Sequence, residues 1–204
     1  MPFVCSGYVC DFIFDLNLKT MNVYDFDGTI YAGDSTVDFY FYALRKKPGI
    51  MRYLPKQLIG VLRYKAKKIT KTQMKEYFYS FLQGIRAEEM LNDFWKQHEK
   101  KIYMWYKKQH RENDLVISAS PEFLLRPICQ KLGIQHLIAS VVDISSGKYT
   151  GENCRGEEKV NRFHKAYPCE EIENFYSDSK SDQPLASLAR AAFLIQKGKV
   201  IPWK

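Results

Sequence analysis

The chain has 204 residues, 46% of them hydrophobic and 15% aromatic, with a formal charge of +8. That is enough for one solid core and a small second module, and it argues against a disordered, repetitive or low-complexity chain. The five cysteines are odd in number and form no C-x-x-C pair, which argues against a disulfide framework or zinc cluster and predicts reduced thiols in a cytoplasmic setting.

Residues 1–20, MPFVCSGYVCDFIFDLNLKT, are apolar but lack a basic leader, and Asp11 and Asp15 interrupt them. They do not read as a signal peptide. Met21 follows at once, so this stretch is expected to be an upstream extension of the reading frame or a poorly packed arm. No apolar run is long enough to span a bilayer.

The first strand is expected over residues 22–26 and runs into Asp25-Phe26-Asp27-Gly28-Thr29. A long insertion follows, from Gly33 to Asn113, and reads as three to five helices with breaks at Pro48-Gly49, near Ile69-Thr70 and at Gly84. A structureless loop of that length is implausible, so residues 34–112 read as a helical cap on an α/β core made of residues 21–33 and 113–204. Asp34-Ser35 is expected to cap its first helix. Its aromatics (Phe39, Tyr40, Phe41, Tyr42, Tyr77, Phe78, Phe81, Phe94, Trp95 and Trp105) are expected in the bundle core.

The charge is concentrated there. Residues 38–112 hold 18 Lys and Arg against 7 Asp and Glu. Such a run makes a solvated surface, or a field that draws an anionic substrate, an acidic membrane or nucleic acid. Residues 52–68 mix Leu, Ile, Val and Tyr with Arg and Lys in the manner of an interfacial helix.

Three further strands are expected, at residues 114–118, 172–177 and 192–196, the last closed by Lys197-Gly198. Between them, helices are expected at 121–132, with a kink at Pro127, at 157–166 and at 183–191. Residues 141–151 read as a hairpin turning at Ser146-Gly147. The short apolar runs suit strands buried on both faces. Their alternation with helices predicts a doubly wound, mostly parallel α/β sheet with an inserted helical cap.

Two of the strands end in carboxylates: Asp25 and Asp27 on the first, Asp178 and Asp182 on the third of the set. Ligands of open α/β sheets bind beyond the carboxyl ends of strands. Clustered carboxylates need a cation, and Mg²⁺ suits one or two carboxylates beside a phosphate. One carboxylate can attack phosphorus while the other protonates the leaving oxygen and then activates water. A tight turn at Gly28 is expected to leave the backbone N–H groups of Gly28 and Thr29 facing phosphate oxygens. His98, His110, His136 and His164 show no ligand spacing.

Four motifs in order carry a family resemblance: D-x-D-G-T at residues 25–29, a strand ending at Ser118, Lys159 at a helix start, and D-x-x-x-D at Asp178 and Asp182. On these, the chain resembles the haloacid dehalogenase superfamily, in its phosphoserine-phosphatase-like branch. The resemblance implies a Rossmann-like fold and a Mg²⁺-dependent phosphatase acting on a small phosphomonoester. It implies Asp25 as nucleophile and metal ligand, and Asp27 as general acid/base and metal ligand through its carbonyl. Ser118 is implied to bind the phosphoryl group, Lys159 to offset its charge, Asp178 to bind metal, and Asp182 to support that end of the site. Ser120 rivals Ser118, and Lys148 and Lys180 rival Lys159. The run Ser118-Ala119-Ser120-Pro121 departs from the Ser-Gly-Gly turn of phosphoserine phosphatases, which argues against phosphoserine, and the basic, aromatic insertion points to a larger or more anionic phosphomonoester. The alternatives are phosphotransfer to an acceptor other than water, or a non-enzymatic binder of anionic membrane or nucleic acid. No nucleic-acid motif is present.

Overall fold

The computed structural model of the chain describes residues 20–204. The expectation for the N-terminal extension thus falls, Thr20 apart, outside the described residues.

β-Branched and aromatic residues form β1 (Thr20–Tyr24), with Met21 and Val23 on one face and Tyr24 on the other. In β2 (Leu115–Pro121), Leu115 and Ile117 are likewise separated from Val116. Both faces are covered, which is why these strands read as apolar runs rather than alternating ones. With β3 (His136–Ser140), β4 (Glu171–Ser177), β5 (Ala189–Gln196) and β6 (Lys199–Pro202), they make one six-stranded sheet in the order β3-β2-β1-β4-β5-β6. All pairings are parallel except β5 with β6. This is the doubly wound, mostly parallel α/β sheet that the sequence predicts.

Between β1 and β2 lie α1 (Ser35–Lys46), α2 (Leu54–Lys65), α3 (Lys71–Tyr79), α4 (Ala87–His98) and α5 (Met104–Gln109). The breaks fall where turn chemistry puts them. Pro48 opens a 3-10 turn, Thr70 caps α3 in a reciprocal box with Gln73, and Gly84 ends a second 3-10 turn. Asp34 caps α1 by accepting from the Val37 N–H at 3.0 Å.

The insertion does not close on a core of its own. Phe39, Phe94 and Trp95 are buried in one apolar cluster with Tyr24, Val116 and Tyr176 of the sheet. Trp95 ties α4 to α6 (Glu122–Lys131) by donating from Nε1 to the Leu124 carbonyl at 2.7 Å. Phe41 departs from the expected bundle core: it is 51% exposed. On the other sheet face, Val23, Leu115, Ile117 and Phe175 pack under Phe163 of α7 (Glu157–Ala166) and Leu185 of α8 (Gln183–Ala186).

Two details differ from the sequence reading. The helix expected over residues 183–191 stops at Ala186, because Ala189 and Ala191 pair with Ile172 and Asn174 of β4. Helix propensity there yields to a non-local ladder. β3 was not foreseen, nor was β6; both are edge strands, and β6 is short, exposed and ends in proline, as edge strands tolerate. Pro127 lies inside α6, and the segment 141–151 is the expected hairpin, bridged from Val142 to Tyr149 with the Gly147 N–H donating to the Asp143 carbonyl at 2.8 Å across its turn. Among the described residues no helix is long and apolar enough to cross a membrane.

Trp95 is 2% exposed and sits edge-on to Phe26, Tyr31 and Phe94. Trp95→Ala is expected to cost about 3–5 kcal/mol of unfolding free energy, read from urea denaturation.

Candidate active site

β1 lies between β2 and β4, so the carboxyl ends of three adjacent strands meet. There the chain turns from β2 to β3 on one side and to β4 on the other, the crevice where open α/β sheets bind ligands. The Asp25 N–H donates to the Tyr176 carbonyl at 2.8 Å, carrying the β1–β4 pairing one residue past Tyr24. The chain then folds back on itself: the N–H groups of Ile30 and Tyr31 both reach the Phe26 carbonyl at 2.9 Å.

Gly28 is in the left-handed region at φ 72°, and a Cβ there would lie 2.0 Å from Asp178 Oδ2. A side chain at this position would therefore collide with the carboxylate at the end of β4. The expectation that Gly28 and Thr29 present N–H groups to phosphate is corrected. The Gly28 N–H donates to the carbonyls of Tyr31 and Gly33 at 2.8 and 2.9 Å, and the Thr29 N–H lies 3.3 Å from the Phe26 carbonyl. The tight turn uses these donors internally. Gly28 still lines the pocket, whereas Thr29 is fully buried beneath it.

Lys159 rises from the first turn of α7 into the interior and is 2% exposed. Its Nζ donates to Asp25 Oδ1 at 2.8 Å and to Asp182 Oδ2 at 2.7 Å. The Ser177 hydroxyl donates to the same Asp182 oxygen at 2.8 Å. Burial by itself lowers the lysine's pKa, but the two carboxylates outweigh it and hold the ammonium above the usual lysine range. Burial pushes the Asp25 carboxyl up, and Lys159 draws it back. The rival lysines lie elsewhere: Lys148 is exposed on the hairpin, and Lys180 sits over the Trp203 ring.

Both serines of Ser118-Ala119-Ser120 take part. Ser118 is buried at the pocket floor, and its Oγ accepts from the Ser120 N–H at 3.1 Å. The Ser120 hydroxyl donates to Asp27 Oδ2, while Asp27 Oδ1 accepts from the Ser35 N–H at 2.7 Å. Asp27 is thus fixed from two sides. Burial, then the nearby Asp34, pushes its carboxyl up to about 7. Asp178 stands at the open rim, where partial desolvation, then Asp25 and Asp182, raise its carboxyl to about 6.

The pocket above these groups has a volume of about 610 Å³. Its far wall comes from the insertion, with Lys71, Met74, Lys75 and Phe78 of α3, and Arg155 stands beside them. Lys75 Nζ donates to the Ala119 carbonyl at 3.0 Å. Burial lowers its ammonium pKa, against the pull of Asp34, Asp27 and Asp25. Sequence reasoning missed Lys75 and Arg155, and it weighed Ser120 only as a substitute for Ser118. Nothing local marks Lys75 among the lysines of the basic segment. Ser120 does carry a signal, since a second hydroxyl two residues along a strand faces the same way.

Among the described residues, no three His, Cys, Asp or Glu side chains form a closed metal cage. The carboxylates of Asp25 and Asp178 line the pocket, with one lysine set against three aspartates around it. A few hard oxygens, open space and excess negative charge suit Mg²⁺, which keeps several waters. They suit neither a zinc site nor a full calcium cage. Lys159→Met removes the buried cation between Asp25 and Asp182. It is expected to cost about 3–5 kcal/mol of stability at neutral pH, measured by chemical denaturation.

A protein-family model described as haloacid dehalogenase-like hydrolase matches residues 23–187. Over 89 residues the chain is 34% identical to a histidinol-phosphatase of Neisseria meningitidis serogroup C, a match covering 38% of this chain and 40% of that protein. The chain thus spans less than half the length of that relative. The fold is similar to that of a protein of unknown function from Bordetella pertussis Tohama I, with a TM-score of 0.62, 24% identity, and 85% and 88% of the two chains covered. It is also similar to a phosphoserine phosphohydrolase-like protein from Francisella tularensis, with a TM-score of 0.52, 18% identity and 85% of each chain covered. Because the family match runs from β1 through Asp182 and takes in every strand end that meets at the pocket, the chain belongs to the haloacid dehalogenase-like hydrolases.

Proposed function

We propose that this protein is a Mg²⁺-dependent phosphomonoester hydrolase that works through an aspartyl-phosphate on Asp25. The observation that carries the reading is the buried Lys159 ammonium bridging Asp25 and Asp182, beside an Asp27 carboxyl fixed by Ser35 and Ser120. Kinship with a histidinol-phosphatase supports a phosphomonoester as the substrate.

In the first step Asp25 Oδ2, the oxygen that Lys159 does not hold, attacks phosphorus, and the P–O bond to the leaving alcohol breaks. Asp27, with its carboxyl near 7, delivers a proton to that alcohol oxygen. In the second step Asp27 takes a proton from water, the water oxygen attacks phosphorus, and the Asp25–phosphorus bond breaks to release phosphate. Ser118 and Lys159 hold the phosphoryl oxygens, and Ser120 and Ser35 keep Asp27 aimed at the leaving group. Asp25, Asp178 and the Asp27 carbonyl would hold Mg²⁺, which when bound offsets charge on the attacking and phosphoryl oxygens. Phosphoryl transfer asks little of a protein beyond such positioning and charge.

Lys71, Lys75 and Arg155 give the pocket wall a positive charge, and Met74 and Phe78 give it apolar area. This suits a phosphomonoester with further negative charge or an apolar body better than free phosphoserine.

Phosphate release from an aryl phosphate is expected to require Mg²⁺, to stop with EDTA, and to fall below about one-thousandth in Asp25→Asn. Undiminished release by that variant refutes Asp25 as the nucleophile. Lys75→Met is expected to raise KM about tenfold with a smaller change in kcat, and Lys75→Arg to retain most of the binding. Steady-state kinetics on the two variants reads the difference.

A further inference from the structure

From Phe39 to Lys75 the chain has eleven Lys and Arg and no Asp or Glu. Within this stretch α2 packs on α3 by one face: Gln57 and Gly60 are its only buried residues, and Arg63 donates from Nη1 to the Tyr77 hydroxyl of α3 at 2.6 Å. Gln57 Nε2 donates to the Phe78 carbonyl at 2.9 Å, and its Oε1 accepts from the Tyr40 hydroxyl at 3.2 Å. At Gly60 a Cβ would stand 2.3 Å from Tyr77 Cβ, so glycine lets α2 lie flush on α3 along one narrow stripe.

The opposite face holds the apolar residues. Leu54, Leu58 and Leu62 recur at four-residue spacing, one above the other. Leu58 is 54% and Leu62 65% exposed, and Ile59 and Val61 beside them are exposed too, as is Met51 in the preceding turn. Lys56 and Lys65 on the same helix are exposed cations. Single exposed leucines need no explanation, but a continuous row does.

Charge selects what covers it. A second copy of the chain would set one acid-free basic face against another. A nucleic acid would use the cations and have no use for a leucine row. An anionic lipid bilayer answers both, with leucines in the acyl boundary and cations among the headgroups. The face is also joined to the pocket. α3, on which α2 lies, supplies Lys71, Met74 and Lys75 to the pocket wall, and Tyr64 at the end of α2 shares an adjoining recess with Lys71 and Arg155.

We propose that the outer face of α2 and the turn before it dock this protein on anionic lipid bilayers, bringing the pocket to phosphomonoesters borne by membrane lipids. The docking stands independently of catalysis. The substrate class rests on the phosphatase reading.

The test is flotation of the full chain with phosphatidylcholine vesicles, with and without phosphatidylglycerol, for wild type, L58E/L62E and K56Q/K65Q. Wild type is expected to bind anionic vesicles about tenfold more tightly than neutral ones, and both variants to lose most of that preference. Hydrolysis of phosphatidate in anionic vesicles is expected to fall about tenfold in the variants, while that of a soluble aryl phosphate stays unchanged. Absent flotation, flotation undiminished in L58E/L62E, or a wild-type dimer that L58E/L62E converts to monomer overturns the docking. Equal activity of wild type and variants on vesicle-borne phosphatidate overturns the substrate class. A chain that floats yet hydrolyses no phosphate refutes the phosphatase reading and leaves the docking supported.

Discussion

One buried ammonium organises this site. Lys159 is held inside the protein by Asp25 and Asp182, and a charged lysine tolerates burial only with such partners. The requirement reaches across the whole chain. Asp25 follows β1, Asp182 follows β4, and Lys159 comes from α7, so the three meet only if β1 and β4 are neighbours and α7 packs against them. The β1–β4 pairing and the Phe163 contacts of α7 supply that arrangement. Two carboxylates against one ammonium also leave a negative charge over, which disposes the pocket floor toward a metal cation.

Crowding at the strand ends assigns the remaining groups. Asp178 approaches the β1 turn so closely that only glycine fits at position 28. The same turn consumes the N–H groups of Gly28 and Thr29, leaving the hydroxyls of Ser118 and Ser120 as prominent donors at the end of β2. Those two serines divide the work: Ser118 faces the pocket floor, and Ser120 holds Asp27. A carboxyl that is both buried and hydrogen-bonded from two sides keeps one orientation.

The insertion is bound to this machinery twice. Its inner helices share an apolar cluster with the sheet, with Trp95 packed against Phe26, the residue between the two aspartates. α3 reaches back to the site through Lys75 and the Ala119 carbonyl, while α2 rests on α3 through Gly60, Gln57 and the Arg63–Tyr77 hydrogen bond. An insertion whose inner side lines the pocket can still present an uncovered apolar surface on its outer side.

Elements whose signals are local are legible in the order of residues. The apolar runs before Asp25, Ser118 and Asp178, the helix over residues 157–166, and the breaks at Pro48, Thr70 and Gly84 all follow from turn chemistry and periodicity. So does the acidic pair, because residues two apart on a strand end share a face. Other features depend on partners distant in the chain and follow from the folded packing alone. Ala189 joined a strand because β4 lay beside it. Gly28 and Thr29 turned inward because the loop closed on Tyr31 and Gly33. Lys75 became part of the pocket because α3 faces a carbonyl 44 residues away. A side chain's type and its near neighbours are written in the order of residues, but what it touches is set by packing between segments far apart, and no local pattern encodes that.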